Sequence, residues 1–213
     1  MSFPAPSIYR PLLLSLAGIV FVLALSTCSD PVPQLTRLPA EATILAFGDS
    51  LTYGTGVNPD QSYPAVLQQL IQRRVVNAGV PGEVSAEGLA RLPGELEKYR
   101  PAMVILCHGG NDILRKKNLA QTANNLRAMI QLIRASGAAV ILLGVPKPGI
   151  LFLESADFYQ TIAADSGTPL ESEIIPKIEA DNSLKSDGVH PNRKGYRLLA
   201  HAIAALLRKS AAI

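Results

Sequence analysis

Ser50 follows a short apolar run, Ile44-Leu45-Ala46-Phe47, that stops at Gly48-Asp49. Such a run reads as a buried strand ended by turn residues, which puts the hydroxyl at the strand's carboxyl end, where open parallel sheets bind ligands. A serine hydroxyl is a poor nucleophile at neutral pH and needs a base within hydrogen-bond reach. The chain has three histidines. His190 closes Asp187-Gly188-Val189-His190, so a carboxylate lies three residues from an imidazole. His108 adjoins the turn His108-Gly109-Gly110-Asn111-Asp112 and is a rival base, though a structural role suits it better. His201 falls inside the last helical pattern and reads as a surface or packing residue. Three successive strand-like runs are each followed by a turn holding a group that acyl transfer can use: Ser50, then Gly82, then Asn111. Backbone N–H groups and an asparagine amide are the donors a tetrahedral oxyanion requires. Each residue alone has a plainer reading as turn or cap chemistry; their joint order favours the chemical one.

The elements that must position these groups alternate. Strands are expected at Ile44–Phe47, Val75-Val76-Asn77-Ala78, Ala102–Cys107 and Ala138–Val145, with a short fifth at Thr168–Ser172. Between them, Tyr63, Val66, Leu67, Leu70 and Ile71 recur at helical spacing, and Leu119–Ala135 forms a long amphipathic helix closed by Gly137. Ala86–Tyr99 reads as two short helices, because Pro93-Gly94 interrupts the pattern. Residues 146–186 are the least legible, with a loop at Pro146, Pro148 and Gly149 and a helix expected over Leu153–Ala164. A final helix runs from Tyr196 to Leu207, reached through Pro191 and Asn192. Strands alternating with helices predict an α/β protein: three layers, with a parallel sheet of about five strands between helices.

The 213 residues carry 48% hydrophobic and 17% charged side chains, enough for one globular domain with a full core. A net charge of +3, with basic residues scattered, gives no support for nucleic-acid binding. Arg193, Lys194, Arg197, Arg208 and Lys209 read as the solvated face of the last helix. Three scattered histidines have no metal-ligand spacing, so neither a metal nor a cofactor is expected. The absence of a G-x-S-x-G elbow argues against the α/β-hydrolase fold. At the N-terminus, Arg10 precedes an apolar run from Pro11 to Leu25 and a small polar exit, the pattern of a secretory signal. Residues 1–27 are therefore expected to be a signal peptide, 28–42, with Pro31, Pro33 and Pro39, a tether, and 43–213 the domain. Cys107, within an apolar run, reads as a buried hydrophobe.

Four blocks together resemble the GDSL, or SGNH, hydrolases, and within them the bacterial thioesterase, lysophospholipase and arylesterase group. They are Phe47-Gly48-Asp49-Ser50-Leu51; Val75-Val76-Asn77-Ala78 leading to Gly82 and Gly88-Leu89-Ala90-Arg91-Leu92-Pro93; Gly109-Gly110-Asn111-Asp112; and Asp187-Gly188-Val189-His190-Pro191. The resemblance implies the flavodoxin-like SGNH fold and a serine esterase with Ser50 as nucleophile, His190 as base and Asp187 as its partner. It assigns the oxyanion hole to the N–H groups of Ser50 and Gly82 and to the Asn111 side chain. Gly79-Val80-Pro81-Gly82-Glu83 departs from the usual stretch and offers two glycines; the flanking blocks favour Gly82 over Gly79. Separately, Leu25-Ser26-Thr27-Cys28 resembles the lipobox of bacterial lipoproteins, with Thr27 as a departure. That implies lipidation of Cys28 and an exported protein tethered to a membrane of the cell envelope.

The expected function is an envelope serine esterase acting on small-molecule or lipid esters: acyl and aryl esters and lysophospholipids. An acetylesterase acting on cell-wall or surface glycan is the alternative. A flavodoxin-like module holding phosphate or flavin through the Gly-Asp-Ser-Leu-Thr turn is a remote one, because it gives no reason for Asp187 and His190.

Overall fold

The computed structural model describes residues 32–147 and 154–213, together with Met1. Residues 2–31, which hold most of the expected signal peptide, Cys28 and the first part of the expected tether, lie outside the described residues. From Val32 onward the segment expected as tether packs against the domain instead, with Leu38 and Ala42 buried in its core. Strand β1 (Ile44–Gly48) leads into the single-turn helix α1 (Ser50–Tyr53), a 3-10 turn at Pro59–Gln61, α2 (Tyr63–Ile71), β2 (Val75–Gly79), α3 (Ser85–Tyr99) and β3 (Met103–Cys107). There follow α4 (Gly110–Leu114), α5 (Leu119–Ala135), β4 (Ala139–Leu143), two-residue strands β5 (Pro146–Lys147) and β6 (Glu154–Ser155), α6 (Asp157–Ser166), β7 (Leu170–Glu171), α7 (Ile174–Ala180) and α8 (Arg193–Lys209).

Five strands form one parallel sheet in the order β2-β1-β3-β4-β7, while β5 and β6 make a small antiparallel pair. Helices α2 and α8 pack on one another, as do α3 and α5, and the sheet is flanked by helices as expected. Every residue of β1 and β3 is buried, which is why both read as unbroken apolar runs rather than alternating ones. The chain moves from β1 outward to β2 and then returns to β3 on the other side of β1. Loops leaving β1 and β3 therefore diverge, and the crevice between them at the carboxyl ends is where such sheets bind ligands.

Three local expectations change. Ala86–Tyr99 is not two helices but part of one 15-residue helix with Pro93 inside. Ser85, Gly88, Leu92 and Leu96 form its buried face, whereas Pro93 and Gly94 are exposed. The break is on the solvent side, where a lost backbone hydrogen bond is replaced by water, and burial of the inner face carries the helix through. The helix expected over Leu153–Ala164 begins at Asp157, because Glu154 and Ser155 pair with β5 instead. The last helix starts earlier, at Arg193: the Asn192 side chain accepts from the N–H groups of Lys194 and Gly195 and caps it. On α8 the five basic residues are exposed, as expected of a solvated face.

Candidate active site

Each loop at the site is fixed by side chains of its own. After β1, the Asp49 carboxylate accepts from the Leu51 N–H at 3.1 Å and caps α1, presenting Ser50 at its first turn. Gly48 has no alternative here: a Cβ would lie 2.3 Å from the carbonyl oxygen of Cys107 and from Thr52 Oγ1. After β2, Val80-Pro81-Gly82-Glu83 closes as a turn, with the Glu83 N–H donating to Val80 O and the Val80 N–H donating to Gly48 O. Pro81 sets the second position, and Gly82, at φ +80°, takes the left-handed third position. After β3, the Tyr159 hydroxyl donates to His108 O at 2.6 Å and pins the turn that carries Asn111.

These loops bring the expected residues together. His190 Nε2 lies 3.0 Å from Ser50 Oγ, and His190 Nδ1 lies 2.7 Å from Asp187 Oδ2. Hydrogen bonds from the His190 and Val189 N–H groups to Asp187 Oδ1 hold that carboxyl down to about 2, against a small opposing effect of burial. An ionised carboxylate only accepts, so Nδ1 carries a proton, and in the neutral imidazole Nε2 is then the nitrogen that accepts from the serine hydroxyl. Ser50, Gly82, Asn111 and His190 line one cavity of about 250 Å³. The Gly82 N–H donates to no group among the described residues, whereas its carbonyl accepts from Arg115 at 2.8 Å. Gly79 is placed otherwise: it lies within β2, its N–H donates to Asn77 Oδ1, and a Cβ there would meet the Tyr53 backbone at 2.1 Å. Asn111 Nδ2 donates to Glu83 O at 3.1 Å and to Asp49 Oδ2 at 3.3 Å. The cavity wall thus offers a hydroxyl, an imidazole with a carboxylate hydrogen-bonded behind it, and amide N–H groups, a set that acyl transfer can use.

Two supporting clusters were not legible as such. Asp112 is buried and accepts from Ser85 N–H at 2.8 Å, Ser85 Oγ at 2.7 Å and Thr122 Oγ1 at 3.2 Å. It ties the Asn111 turn to the start of α3 and to α5. Behind the Gly82 turn, Glu83 accepts two hydrogen bonds from Arg91, both 2.7 Å, and lies 3.0 Å from His108 Nε2. Arg91 also stacks over the Phe47 ring at 4.3 Å. The signal for this cluster was Glu83 and Arg91 standing one short turn and two helical turns apart around α3's start. His108 is fully buried, so it is a structural residue and not an accessible base. His201 is exposed on α8, and Cys107 is a buried thiol pushed well up by burial.

The Glu83 cluster gives an acid-stability prediction. Burial favours the neutral acid, but the bonds from Arg91 and His108 outweigh it and lower Glu83 from 4.5 to about 2. A group depressed on folding stabilises fully above its unfolded value and loses that contribution as pH falls through the folded one. Melting curves should therefore show the Glu83→Ala variant less stable than the parent by about 3 kcal/mol at pH 7, the scale for orphaning a buried ion-pair partner. The gap should narrow between pH 4.5 and about 2. A gap that is constant across that range would show that the pair is not ionised.

Comparison with known proteins gives a consistent picture. Residues 46–198 match the model of the GDSL-like Lipase/Acylhydrolase family. Esterase TesA of Pseudomonas aeruginosa is 38% identical over 179 residues, covering 79% of this chain and 89% of its own. Thioesterase 1/protease 1/lysophospholipase L1 of Escherichia coli is 32% identical over 179 residues, covering 81% and 86%. Among solved structures, a crystal structure of TesA superposes with a TM-score of 0.71 at 33% identity, over 78% of this chain and 98% of that one. The psychrotrophic esterase EstA from Pseudoalteromonas sp., solved with monoethylphosphonate as inhibitor, also gives 0.71, at 25% identity over 79% and 98%.

Proposed function

Because the chain belongs to the GDSL-like lipase/acylhydrolase family and is a serine ester hydrolase, we propose that Ser50, His190 and Asp187 are its catalytic triad. The carrying observation is the unbroken hydrogen-bond chain from Ser50 Oγ through the imidazole to the Asp187 carboxylate. In this reading Nε2 takes the hydroxyl proton as Oγ attacks the ester carbonyl, and Asp187 stabilises the imidazolium that forms. The oxyanion is met by the N–H groups of Ser50 and Gly82 and by Asn111 Nδ2, which gives up its longer bond to Asp49 to do so. His190 then protonates the departing alcohol, and water attacks the acyl-enzyme with the same base.

The substrates proposed are carboxylic esters: acyl and aryl esters and lysophospholipids. The small cavity also suits the acetyl group of a glycan acetylester, the second reading. The secretory pattern and Cys28 support an exported protein held at the cell envelope by a lipid on that cysteine. Incorporation of labelled palmitate by the parent and not by Cys28→Ser checks the anchor. The test of the triad is reaction of the domain with a fluorophosphonate and mass spectrometry of the adduct. One adduct on Ser50, lost in His190→Ala, is the expected result; none on folded protein would remove the activated serine and bring the phosphate-binding module forward.

A further inference from the structure

The cavity wall holds an acid that neither the triad nor the oxyanion hole uses. Glu179, in the last turn of α7, lines the same cavity as Ser50 and His190. Much of that wall is apolar, with Leu114, Val145, Pro146 and Val189 among the residues that line it. Half-burial there raises its carboxyl to about 7; Lys185 pulls the other way, Asp49 pushes with the burial, and no hydrogen bond enters the balance. The buried neighbours of α7, Ile175, Pro176 and Ile178, hold the helix against the core and so fix where Glu179 stands. Thr55 lines the cavity too, and its Oγ1 has no hydrogen-bond partner among the described residues.

A half-buried acid with no hydrogen-bond partner among the described residues is open to one that a ligand supplies, and the buried, unpaired Thr55 Oγ1 on the same cavity wall adds a second such position. Two chemistries compete for the acid. A cation would seek a full negative charge, but Lys185 already offsets this one, and a carboxyl that titrates near neutrality is only partly ionised. A hydroxyl both donates and accepts, so it pairs with either protonation state.

We propose that Glu179 is a specificity-determining residue: it binds a free hydroxyl carried by the ester near the scissile bond, so that monoesters of polyols are preferred to simple alkyl esters. The proposal rests on the triad reading, since it places the hydroxyl relative to Ser50. The cavity then sorts esters by their alcohol side, with apolar walls for the hydrocarbon and one acidic position for the hydroxyl.

The test compares 2,3-dihydroxypropyl butyrate with propyl butyrate, its deoxy counterpart, at pH 8, where Glu179 is ionised. Each kcat/KM is divided by the ester's rate of hydroxide hydrolysis to remove intrinsic reactivity. The parent should favour the dihydroxy ester about tenfold, the scale of one hydrogen bond to a charged acceptor. Glu179→Leu should bring the ratio near one, and Glu179→Gln, whose amide oxygen still accepts, should keep part of it. Circular dichroism and melting of both variants identify a ratio lost through misfolding, and the parent's own ratio decides independently of them. A parent ratio of one overturns the subsite. A preference for choline butyrate that Glu179→Gln abolishes also overturns it, in favour of a cation site. Fluorophosphonate labelling separates the two levels: a labelled Ser50 with a ratio of one removes only the subsite, and an unlabelled Ser50 removes the triad and the subsite with it.

Discussion

Replacing His190 by alanine should lower turnover by about 10⁴–10⁶, as should Ser50→Ala, since the two act as one unit. Neither change should unfold the protein. Among the described residues Ser50 Oγ bonds only to the imidazole, and the His190 ring, 19% exposed, bonds through its nitrogens only to Ser50 and Asp187. The turn that carries His190 is held by main-chain groups: Ser186 N–H donates to His190 O, and both Asp187 Oδ1 bonds come from backbone amides. Those survive the alanine change. Asp187→Asn should leave partial activity, with a loss of up to about 10⁴, because an amide no longer fixes the Nδ1–H tautomer while Ser50 and His190 remain in place. Steady-state kinetics on a p-nitrophenyl ester is the measurement. More than a tenth of parental turnover in His190→Ala would move the base elsewhere.

The second large effect belongs to Asn111. Removing its amide in Asn111→Ala should lower kcat by about 10²–10³ with KM changed much less, because the donor matters most when the carbonyl oxygen becomes an oxyanion. Asn111 also joins Glu83 O to Asp49 Oδ2, so part of a loss could come from a shifted loop. Asn111→Asp, which faces Glu83 O and Asp49 Oδ2 with an acceptor in place of a donor, should be at least as damaging to kcat, and melting curves of both variants separate a loosened loop from a lost donor. A kcat within tenfold of the parent in both variants would take Asn111 out of the oxyanion hole.

The strands that carry the site were plain in the sequence because they are buried on both faces and therefore continuously apolar, β1 and β3 above all. Turns were plain where glycine or proline has a backbone reason, as at Pro81-Gly82. The segment after β4 was not, and the cause is physical: β5 and β6 have two residues each, too short for any period to register, and β7, equally short, was placed only within the longer span Thr168–Ser172. Pro93 misled because a break signal carries no information about which face it falls on. Glu83, Arg91 and His108 stayed hidden as a cluster because their pairing depends on the fold bringing β3 beside the start of α3. Asp112 sat in a recognised block, yet its role as a brace could not be read before Ser85 and Thr122 were seen on either side of it. Glu179 lay in the segment that no pattern resolved.

His190 reaches Ser50 from 140 positions along the chain, and its loop is fastened to the start of α8: Asn192 caps that helix and donates to the carbonyls of Ser183 and Lys185. Helix α8 in turn is seated against α2. Ser50 is thus made early and His190 almost last, and their hydrogen bond joins the loop after β1 to the loop that leads into α8. On the proposed triad, a chain whose C-terminal helix is not in place holds Ser50 without His190 beside it, so hydrolysis would report a completed fold.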